Sequence, residues 1–264
     1  MPSSKNLLGL IGYPLTHSFS KKYFTQKFEN EGLAHAWAYE LWSIGSIEKL
    51  TEILRGYPNL IGLNVTIPYK ESVMPYVHEL DIMAKEVGAV NCIKITTKNG
   101  KQYLKGYNTD YYGFQKSLLG LLPEGDISIL NLEALILGTG GAAKAVAYAL
   151  KMLDIPYKYV SRKAMDNGLS YAELTADIIN AHRLIINTTP LGMSPNTEGY
   201  PLLPYEGIGN QHFLYDLVYN PEMTAFMKRG IAQGAKAKSG LDMLYFQAEK
   251  GWEIWNTPLE TIQK

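Results

Sequence analysis

The sequence predicts an α/β protein with two lobes. Apolar strand patterns alternate with amphipathic helix patterns in both halves of the chain, which is typical of sheets connected by crossover helices. A length of 264 residues is long for most single-core domains and sufficient for two. Because ligands often bind in clefts between lobes, we expect a cleft between these two.

The composition is that of an ordinary globular protein, with 46% apolar and 19% charged residues. Lysine and arginine together number 25, as do aspartate and glutamate, so no net charge would attract nucleic acid or an anionic membrane. The single Cys92 cannot form an internal disulfide, and the apolar runs are too short or too interrupted for a signal peptide or a membrane helix. We therefore expect a cytoplasmic protein with no nucleic-acid or membrane partner. Its state, monomer or homodimer, stays open.

The first lobe opens with the apolar run LLGLIG, after which Ser18 and Ser20 precede a helical pattern. Three further elements follow in order: a strand in HAWAYELWSI, a helix in SIEKLTEILRGYP capped by Ser46, and a strand in LIGLNVTIP. We expect another helix near residues 71 to 87. Asn99-Gly100 is then a strong signal for a hairpin between two strands, which would add an antiparallel edge to a parallel sheet.

The second lobe carries a glycine-rich turn between a strand and a helix. The apolar strand ALIL leads into Gly138, and Gly138, Gly140 and Ala143 satisfy the pattern G-x-G-x-x-A before an alanine-rich helix. The small residues permit a tight turn, close approach of a pyrophosphate and packing of helix on strand. We therefore predict a Rossmann-type dinucleotide-binding lobe; a glycine-rich turn without a ligand is the alternative.

Other elements complete the second lobe. The sequence predicts a linking helix in DYYGFQKSLLGLL, a polar connector in PEGDISILNLE, strands in YKYVSRK, RLIINTTP and HFLYDLV, a helix in TAFMKRGIAQGA, and a last helix in GLDMLYFQAEKGWEIW that could return to the first lobe.

The strand YKYVSRK ends where an NAD-binding protein would carry an acidic residue for the ribose 2′-hydroxyl. Ser161, Arg162 and Lys163 stand there instead. Two cations beside a hydroxyl suit a 2′-phosphate, because arginine can bind it in a bidentate geometry, so NADP is favoured over NAD. A solvated strand end is the alternative.

A nicotinamide cofactor implies hydride transfer, and reduction of a carbonyl requires a group that donates a proton to the developing alkoxide. Lys70, in the stretch NVTIPYKE, could supply that proton, and a nearby carboxylate could orient it. The turn GYNTD offers Asp110 for that purpose. Taken singly, Lys70 is more often a solvated loop residue and Asp110 more often a helix cap. His17 is better explained by ordering its loop than by base catalysis, and the five histidines show no metal-ligand spacing, so no metal is predicted.

Seven short motifs follow one another along the chain: GYPLTHSFS, NVTIPYK, GAVN, GYNTD, GTGGAAKA, NTTPLGM and GLDMLYFQA. In this order they resemble the shikimate dehydrogenase family over essentially the whole length. The resemblance implies an NADP-dependent oxidoreductase that acts on a CH-OH group. Its reaction would be the reversible reduction of 3-dehydroshikimate to shikimate by NADPH, within chorismate and aromatic amino acid biosynthesis.

The resemblance also implies the residues that contact the substrate. Ser18 and Ser20 would bind the carboxylate, with Tyr219 close by. Lys70 and Asp110 would form the catalytic pair and contact the substrate as well. The remaining ring-hydroxyl contacts would come from Thr66, Asn91 and Gln247.

For the cofactor, the resemblance implies a pyrophosphate cradle made of Gly138, Thr139, Gly140, Gly141 and Ala142. Ser161, Arg162 and Lys163 would meet the adenosine 2′-phosphate, and Leu217 and Gly240 would line the nicotinamide. The expected substrate-binding and catalytic domain comprises residues 1–113 and 242–264, and the expected NADP-binding Rossmann domain comprises 114–241.

Two positions depart from the family pattern. Lys21 stands where the family usually has proline after the second serine, and Ser161-Arg162-Lys163 stands where asparagine-arginine-threonine is common. Neither removes the expected chemistry, but Lys21 could alter the loop and the affinity for the carboxylate.

Two other functions stay open. An NAD-preferring quinate/shikimate dehydrogenase is disfavoured by the lack of an acid at 161–163 and by Ser20 where a threonine would be expected. A non-catalytic ligand-sensing homologue is disfavoured by the presence of Lys70 and Asp110.

Overall fold

The computed structural model describes residues 5–15, 18–122, 132–163 and 168–258. These residues belong to two compact units, Met1–Thr109 with Ala248–Lys264 and Asp110–Gln247. His17 and most of the predicted polar connector lie outside the described residues. Among the described helices, none is long and apolar enough to cross a membrane. The division of substrate and cofactor between domains stays a prediction.

The first unit is built on a six-stranded sheet in the order β2-β1-β3-β5-β6-β4. Its elements are β1 Asn6–Gly12, α1 Phe19–Asn30, β2 Trp37–Ser43, α2 Leu50–Gly56, β3 Leu60–Val65, β4 Glu79–Leu80, α3 Ile82–Val87, β5 Cys92–Lys98 and β6 Lys101–Tyr107. A short 3-10 helix, Ile47–Lys49, precedes α2; Ser46 stands at its N-cap but makes no side-chain capping hydrogen bond.

The predicted helix near 71 to 87 is wrong over most of its length. Only Ile82–Val87 is α-helical, after a 3-10 turn at Met74–Tyr76 and the short strand β4. Pro75 provides a physical reason, because proline lacks the N–H that a helix interior needs. Glu79 on β4 instead forms a salt bridge with the buried Lys105 on β6.

The predicted hairpin is confirmed, and its position in the sheet is corrected. Asn99 and Gly100 have φ angles of 52° and 73°, as a type I′ turn requires at both central residues. However, β6 is not the outermost strand of the sheet, because β4 pairs with it in parallel on its far side. Both β3–β5 and β5–β6 are antiparallel, whereas β1 pairs in parallel with β2 and β3.

Alternating side chains of β1 enter two apolar clusters, one including Leu7 and Ile11 and the other Leu8 and Leu10. This alternation is expected for a strand covered on both faces. The second cluster also contains Trp255 of the final helix, α8, which runs Leu241–Asn256 and contributes residues 248–256 to this unit.

The C-terminal end of α8 is fixed to the sheet of the first unit by polar contacts. The indole N–H of Trp255 donates to the carbonyl of Ile93 at 3.0 Å. Buried Lys94 donates to the carbonyl of Ile254 at 2.7 Å and to that of Thr257, which satisfies carbonyl groups left open at a helix end.

The second unit contains a six-stranded parallel sheet in the order β12-β11-β10-β7-β8-β9. Its elements are α4 Asp110–Leu119, β7 Ala134–Leu137, α5 Gly141–Met152, β8 Tyr157–Ser161, β9 Gly168–Ser170, α6 Ala176–Ala181, β10 Leu184–Asn187, β11 Phe213–Asp216, α7 Ala225–Ala232, β12 Lys236–Ser239 and the first part of α8. Every predicted strand and helix of this lobe is present; β9, α6 and β12 are additional. The order is that of a Rossmann fold.

The central strands β7, β10 and β11 are fully buried, which explains their continuous apolar runs. Apolar clusters lie against both faces: one includes Val146 of α5 and the other Phe226 of α7. The helices thus cover both sides of the sheet.

We expect Gly113→Ala to destabilise the second unit. A Cβ at Gly113 would stand 2.5 Å from the backbone oxygen of Met243, so α4 and α8 would have to separate. Overpacking of this kind costs about 1–3 kcal/mol. Urea denaturation should show the loss as a lower unfolding midpoint. Gly56→Ala is the matched control, because its Cβ would meet no described atom within 4 Å and should leave the midpoint unchanged or higher. Equal midpoints for the two variants would contradict the packing argument.

Candidate active site

The segments that carry the predicted substrate residues of the first unit all lie at one edge of its sheet, namely the edge formed by the ends of the strands. Strands β1 and β3 are parallel and end there, β5 begins there because it is antiparallel to β3, and β6 returns there. Residues 18–20, 66–70, 91 and 108–109 therefore follow or precede strand ends at the same edge. The sequence alone does not reveal this convergence, because it depends on the strand order.

Ser18 and Ser20 occupy different positions with respect to α1. Ser18 is the N-cap, and its side-chain oxygen accepts from the backbone N–H of Lys21 at 3.2 Å. Ser20 is already inside the helix, so the expectation that both serines precede it is wrong for Ser20. The Ser20 hydroxyl hydrogen-bonds Tyr39, and that phenol in turn donates to Oδ1 of Asn64 at 2.7 Å.

Tyr39 and Asn64 form a buried polar support beneath Ser20. Burial raises the pKa of the Tyr39 phenol well above its ordinary value, and the hydrogen bond with Ser20 opposes part of that effect. The phenol is therefore protonated at neutral pH and available as a donor to Asn64. Neither residue was predicted from the sequence. Tyr39 falls on a strand whose aromatic residues look like core, and only the position of Asn64 within NVTIPYK was a signal.

Thr66 and Lys70 lie in the turn after β3. The backbone N–H of Thr66 donates to Ile11 at 3.0 Å, and the carbonyl of Lys70 accepts from Val90 at 2.7 Å. A Cβ at Gly12 would stand 2.4 Å from the Thr66 methyl group, so glycine is needed for β1 to approach this turn. The turn is thus held at both ends, and Lys70 is half-buried.

Asn91 connects the ends of three strands. Its carbonyl accepts from Val65 at 2.8 Å, and its N–H donates to Tyr107 at 3.1 Å. Its side-chain amide donates to Thr109 Oγ1 at 2.9 Å, while its Oδ1 accepts from the Thr109 backbone N–H at 2.6 Å. Asn91 is buried, so these bonds fix the side chain.

Asp110 and Gln247 belong to the second unit. Asp110 is the first residue of α4 and is buried. One turn further along α4, Gly113 approaches α8 closely: a Cβ there would stand 3.0 Å from Cβ of Gln247. Gln247 donates from Nε2 to the carbonyl of Leu244 at 2.8 Å. This close helix pair places the two residues on adjoining segments, and the pairing of Asp110 with Lys70 stays a prediction.

The predicted cofactor residues of the second unit follow the ends of parallel strands, at one edge of the Rossmann sheet. Gly138 has a φ of 110°, and a Cβ there would stand 2.7 Å from Thr188 Oγ1, so both conformation and space require glycine. No described atom lies within 4 Å of a Cβ built on Gly140, the N-cap of the twelve-residue α5. An open glycine cap at the start of a long helix fits a dinucleotide pyrophosphate.

The end of β8 presents its cations to solvent. Arg162 and Lys163 are exposed, while Ser161 turns back: its hydroxyl donates to the Lys163 carbonyl and accepts from the Lys163 N–H at 3.3 Å. Serine thus folds the turn that carries the two cations. An exposed arginine and lysine, with no acid at positions 161–163, fit a 2′-phosphate better than a 2′-hydroxyl.

The structure brings Leu217 and Gly240 together. A Cβ at Gly240 would stand 2.3 Å from the backbone oxygen of Leu217, so only glycine lets the two segments approach this closely. Two residues after Leu217, Tyr219 is partly buried, and burial raises the pKa of its phenol. These two segments follow the neighbouring strands β11 and β12.

Asp216 connects the turn after β11 to neighbouring segments by hydrogen bonds. This role was not predicted from the sequence. This fully buried carboxylate accepts from Asn187 Nδ2 at 2.9 Å, from the Val218 N–H at 3.0 Å and from Thr224 Oγ1 at 2.6 Å. The end of β10, the turn after β11 and the N-cap of α7 therefore share one acceptor. Burial raises the pKa of Asp216 to about 6 despite the three hydrogen bonds.

This shift predicts a pH-dependent stability. The folded state binds the Asp216 proton more tightly than the unfolded chain does, whose carboxyl has the ordinary value of 3.8. The free energy of unfolding should therefore fall as the pH rises from about 4 to about 6, by up to about 3 kcal/mol from this residue, and stay level above that. Denaturant unfolding across this range should show a slope in the wild type that is reduced in Asp216→Asn. Identical slopes would contradict the assignment.

Comparison with known proteins gives a consistent result along the chain. Residues 10–93 match the family model of the shikimate dehydrogenase substrate binding domain. A protein of Methanococcus maripaludis strain C7 named shikimate dehydrogenase (NADP(+)) is 36% identical over 272 residues, which cover 97% of this chain and 92% of the relative.

Solved structures agree at the level of the whole fold. Shikimate 5-dehydrogenase from Thermus thermophilus, in complex with NADP(H) and shikimate, has a TM-score of 0.80 at 29% identity, with 95% of this chain and 93% of that chain covered. Quinate dehydrogenase from Corynebacterium glutamicum, in complex with NAD, has a TM-score of 0.81 at 26% identity, with 96% and 94% covered. Extensive identity with curated relatives and the motifs at both sheet edges lead to one conclusion: the chain belongs to the shikimate dehydrogenase family.

Proposed function

We propose that this protein is an NADP-dependent shikimate dehydrogenase, which reversibly reduces the ring ketone of 3-dehydroshikimate to the hydroxyl of shikimate. The observation that supports this most is the sheet edge of the first unit. It gathers two serines, a threonine, an asparagine and a lysine on segments tied to one another by backbone hydrogen bonds. A ligand with one carboxylate and several hydroxyls needs such short polar groups around it.

In this proposal each polar group has a distinct role. Ser18 and Ser20 bind the substrate carboxylate, with Tyr219 as a further contact. Thr66, Asn91, Asp110 and Gln247 hold the ring hydroxyls. The Asn91 side chain is already oriented by Thr109, so little conformational entropy is lost when a substrate hydroxyl binds.

The chemical step needs a hydride and a proton. NADPH supplies the hydride when bound. Lys70 donates the proton to the oxygen of the ketone as negative charge develops there, and it takes the proton back in the reverse direction. Asp110 orients the lysine and stabilises its charged form. The short turn between β3 and Lys70, held by Val90, limits the positions that the ammonium can take.

The cofactor preference follows from the strand end at 161–163. The pyrophosphate is held by residues 138–142 at the start of α5, and the 2′-phosphate by Ser161, Arg162 and Lys163. Leu217 and Gly240 line the nicotinamide. We also propose the domain division given above, at residues 113 and 242, and a cytoplasmic location; the protein would act as a monomer or homodimer.

The direct test is an absorbance assay at 340 nm with shikimate or quinate as substrate and NADP or NAD as cofactor. The proposal predicts the highest kcat/KM for shikimate with NADP. A higher kcat/KM for quinate with NAD would instead favour a quinate dehydrogenase, the activity for which the Corynebacterium glutamicum protein is named. No turnover of any combination by a folded protein that binds shikimate would favour a ligand-sensing role.

Arg162→Ala should raise the KM for NADP strongly, by about tenfold or more, while changing the KM for NAD little. The reason is that only NADP carries the 2′-phosphate, whose charge-assisted bonds to arginine are among the stronger polar contacts. Steady-state kinetics with both cofactors measures the effect. Arg55→Ala, at an exposed arginine of α2, is the control and should change neither constant. A similar rise for both cofactors would show that Arg162 does not read the 2′-phosphate.

Lys70→Met should lower kcat by about 10²- to 10⁴-fold with little change in NADP affinity, because it removes the proton donor and keeps most of the side-chain stem. Single-turnover kinetics and cofactor titration by fluorescence separate the two effects. Lys85→Met, at an exposed lysine of α3, is the matched control.

Asp110→Asn should also be severely impaired, and the double variant should be little worse than the worse single variant, because groups that act as a unit are not additive. A folded Lys70→Met protein with near-normal kcat would place the proton donor elsewhere.

A further inference from the structure

Lys21 makes two contacts beside the proposed carboxylate site of the first unit. Its backbone N–H donates to Ser18 Oγ at 3.2 Å, and its ammonium lies 2.9 Å from Oε2 of Glu40. A proline at this position could make neither contact, since it has no N–H and no charge. Position 21 therefore changes the surroundings of Ser18 in this chain.

The backbone contact orients the Ser18 hydroxyl. A serine hydroxyl has one donor and two acceptor sites, and the N–H of Lys21 occupies one acceptor site. The O–H remains the group to present to a ligand, and a carboxylate is an acceptor. The cap thus favours the hydroxyl orientation that an anion requires.

The ammonium lies within reach of the same anion. Lys21 stands three residues after the N-cap Ser18, whose hydroxyl its backbone N–H bonds at 3.2 Å, and it directly follows Ser20. The flexible four-carbon stem of lysine can reach a carboxylate held by these serines. Its partner Glu40 is a neighbour of Tyr39, which bonds Ser20, so two successive residues of α1 contact two successive residues of β2.

The salt bridge is exposed enough to exchange. The side chains of Lys21 and Glu40 are 42% and 49% exposed, and pairs of this kind contribute little to stability. A substrate carboxylate can therefore compete with Glu40 for the ammonium at low cost. With an uncharged residue at position 21 there would be no ammonium for Glu40 and the substrate carboxylate to compete for.

We propose that Lys21 is an additional binding residue for the substrate carboxylate and that Glu40 competes for it, so that the pair sets the KM for shikimate. This rests on the proposed function. Lys21 adds charge attraction to the hydrogen bonds of Ser18 and Ser20, and Glu40 weakens that attraction by holding the ammonium in the free enzyme. Neither residue takes part in the chemical step.

Three variants and one control test the proposal. Lys21→Met removes the charge but keeps the N–H that caps Ser18, and it should raise the KM for shikimate about three- to tenfold. Glu40→Gln should lower that KM about two- to fivefold. The double variant should match Lys21→Met, because Glu40 acts only through Lys21. In all three, kcat and the KM for NADP should change less than twofold.

Glu31→Gln is the control, since the exposed Glu31 forms a salt bridge with Lys27 at the other end of α1. It should leave every constant unchanged. The KM for shikimate should also rise with added salt more steeply in the wild type than in Lys21→Met. An unchanged or raised KM in Glu40→Gln would overturn the proposal, as would a Glu40→Gln effect that persists without Lys21. Absence of wild-type shikimate oxidation would overturn the proposed function as well, whereas normal wild-type activity with insensitive variants would overturn this inference alone.

Discussion

The reversal of β5 between β3 and β6 is the constraint on which the substrate half of the site depends. If β5 ran parallel to β3, residue 91 would lie at the opposite edge of the sheet. In the structure, Asn91 accepts from Val65, donates to Tyr107 and binds Thr109 with its side chain. One buried residue thus joins the turn that carries Lys70 to the segment that leads into Asp110. The hairpin at Asn99-Gly100 then turns the chain back within two residues, so that β6 ends at the same edge where β5 begins.

The second unit has a different requirement, because a bound dinucleotide has to lie close to the backbone. Glycines serve this in two ways: a Cβ at Gly140 would meet no described atom within 4 Å, whereas Gly138 and Gly240 let segments of the chain pack where a Cβ would collide with a neighbour. Asp216 then ties the turn after β11 to β10 and α7. Its raised pKa is the cost of burying a carboxylate for this purpose. Glycines thus determine how closely segments can approach at the strand ends, and Asp216 determines how those segments are held to one another.

Local patterns predicted what depends on local chemistry. The Rossmann turn, the Asn99-Gly100 hairpin and the strand before Lys70 each follow from residues that are close in sequence. Tyr39–Asn64 and Asn187–Asp216 could not be found in this way, since their partners are 25 and 29 residues apart and meet only through strand order. The predicted helix at 71–87 failed for two reasons. Pro75, which is visible in the sequence, interrupts it, and the pairing of β4 with β6, where Glu79 meets Lys105, depends on strand order. The site residues carried over from the family resemblance stay predictions until a ligand is seen.

The most direct measurement is a crystal structure of the protein with shikimate and NADP bound together. The account predicts that the carboxylate lies within hydrogen-bond distance of the Ser18 and Ser20 hydroxyls, and that Lys70 Nζ lies within about 3.2 Å of the hydroxyl that is oxidised. The nicotinamide should lie beside Leu217 and Gly240. Shikimate bound away from the edge formed by residues 18–20, 66–70 and 91, or a different group in place of Lys70 at the reacting oxygen, would contradict it.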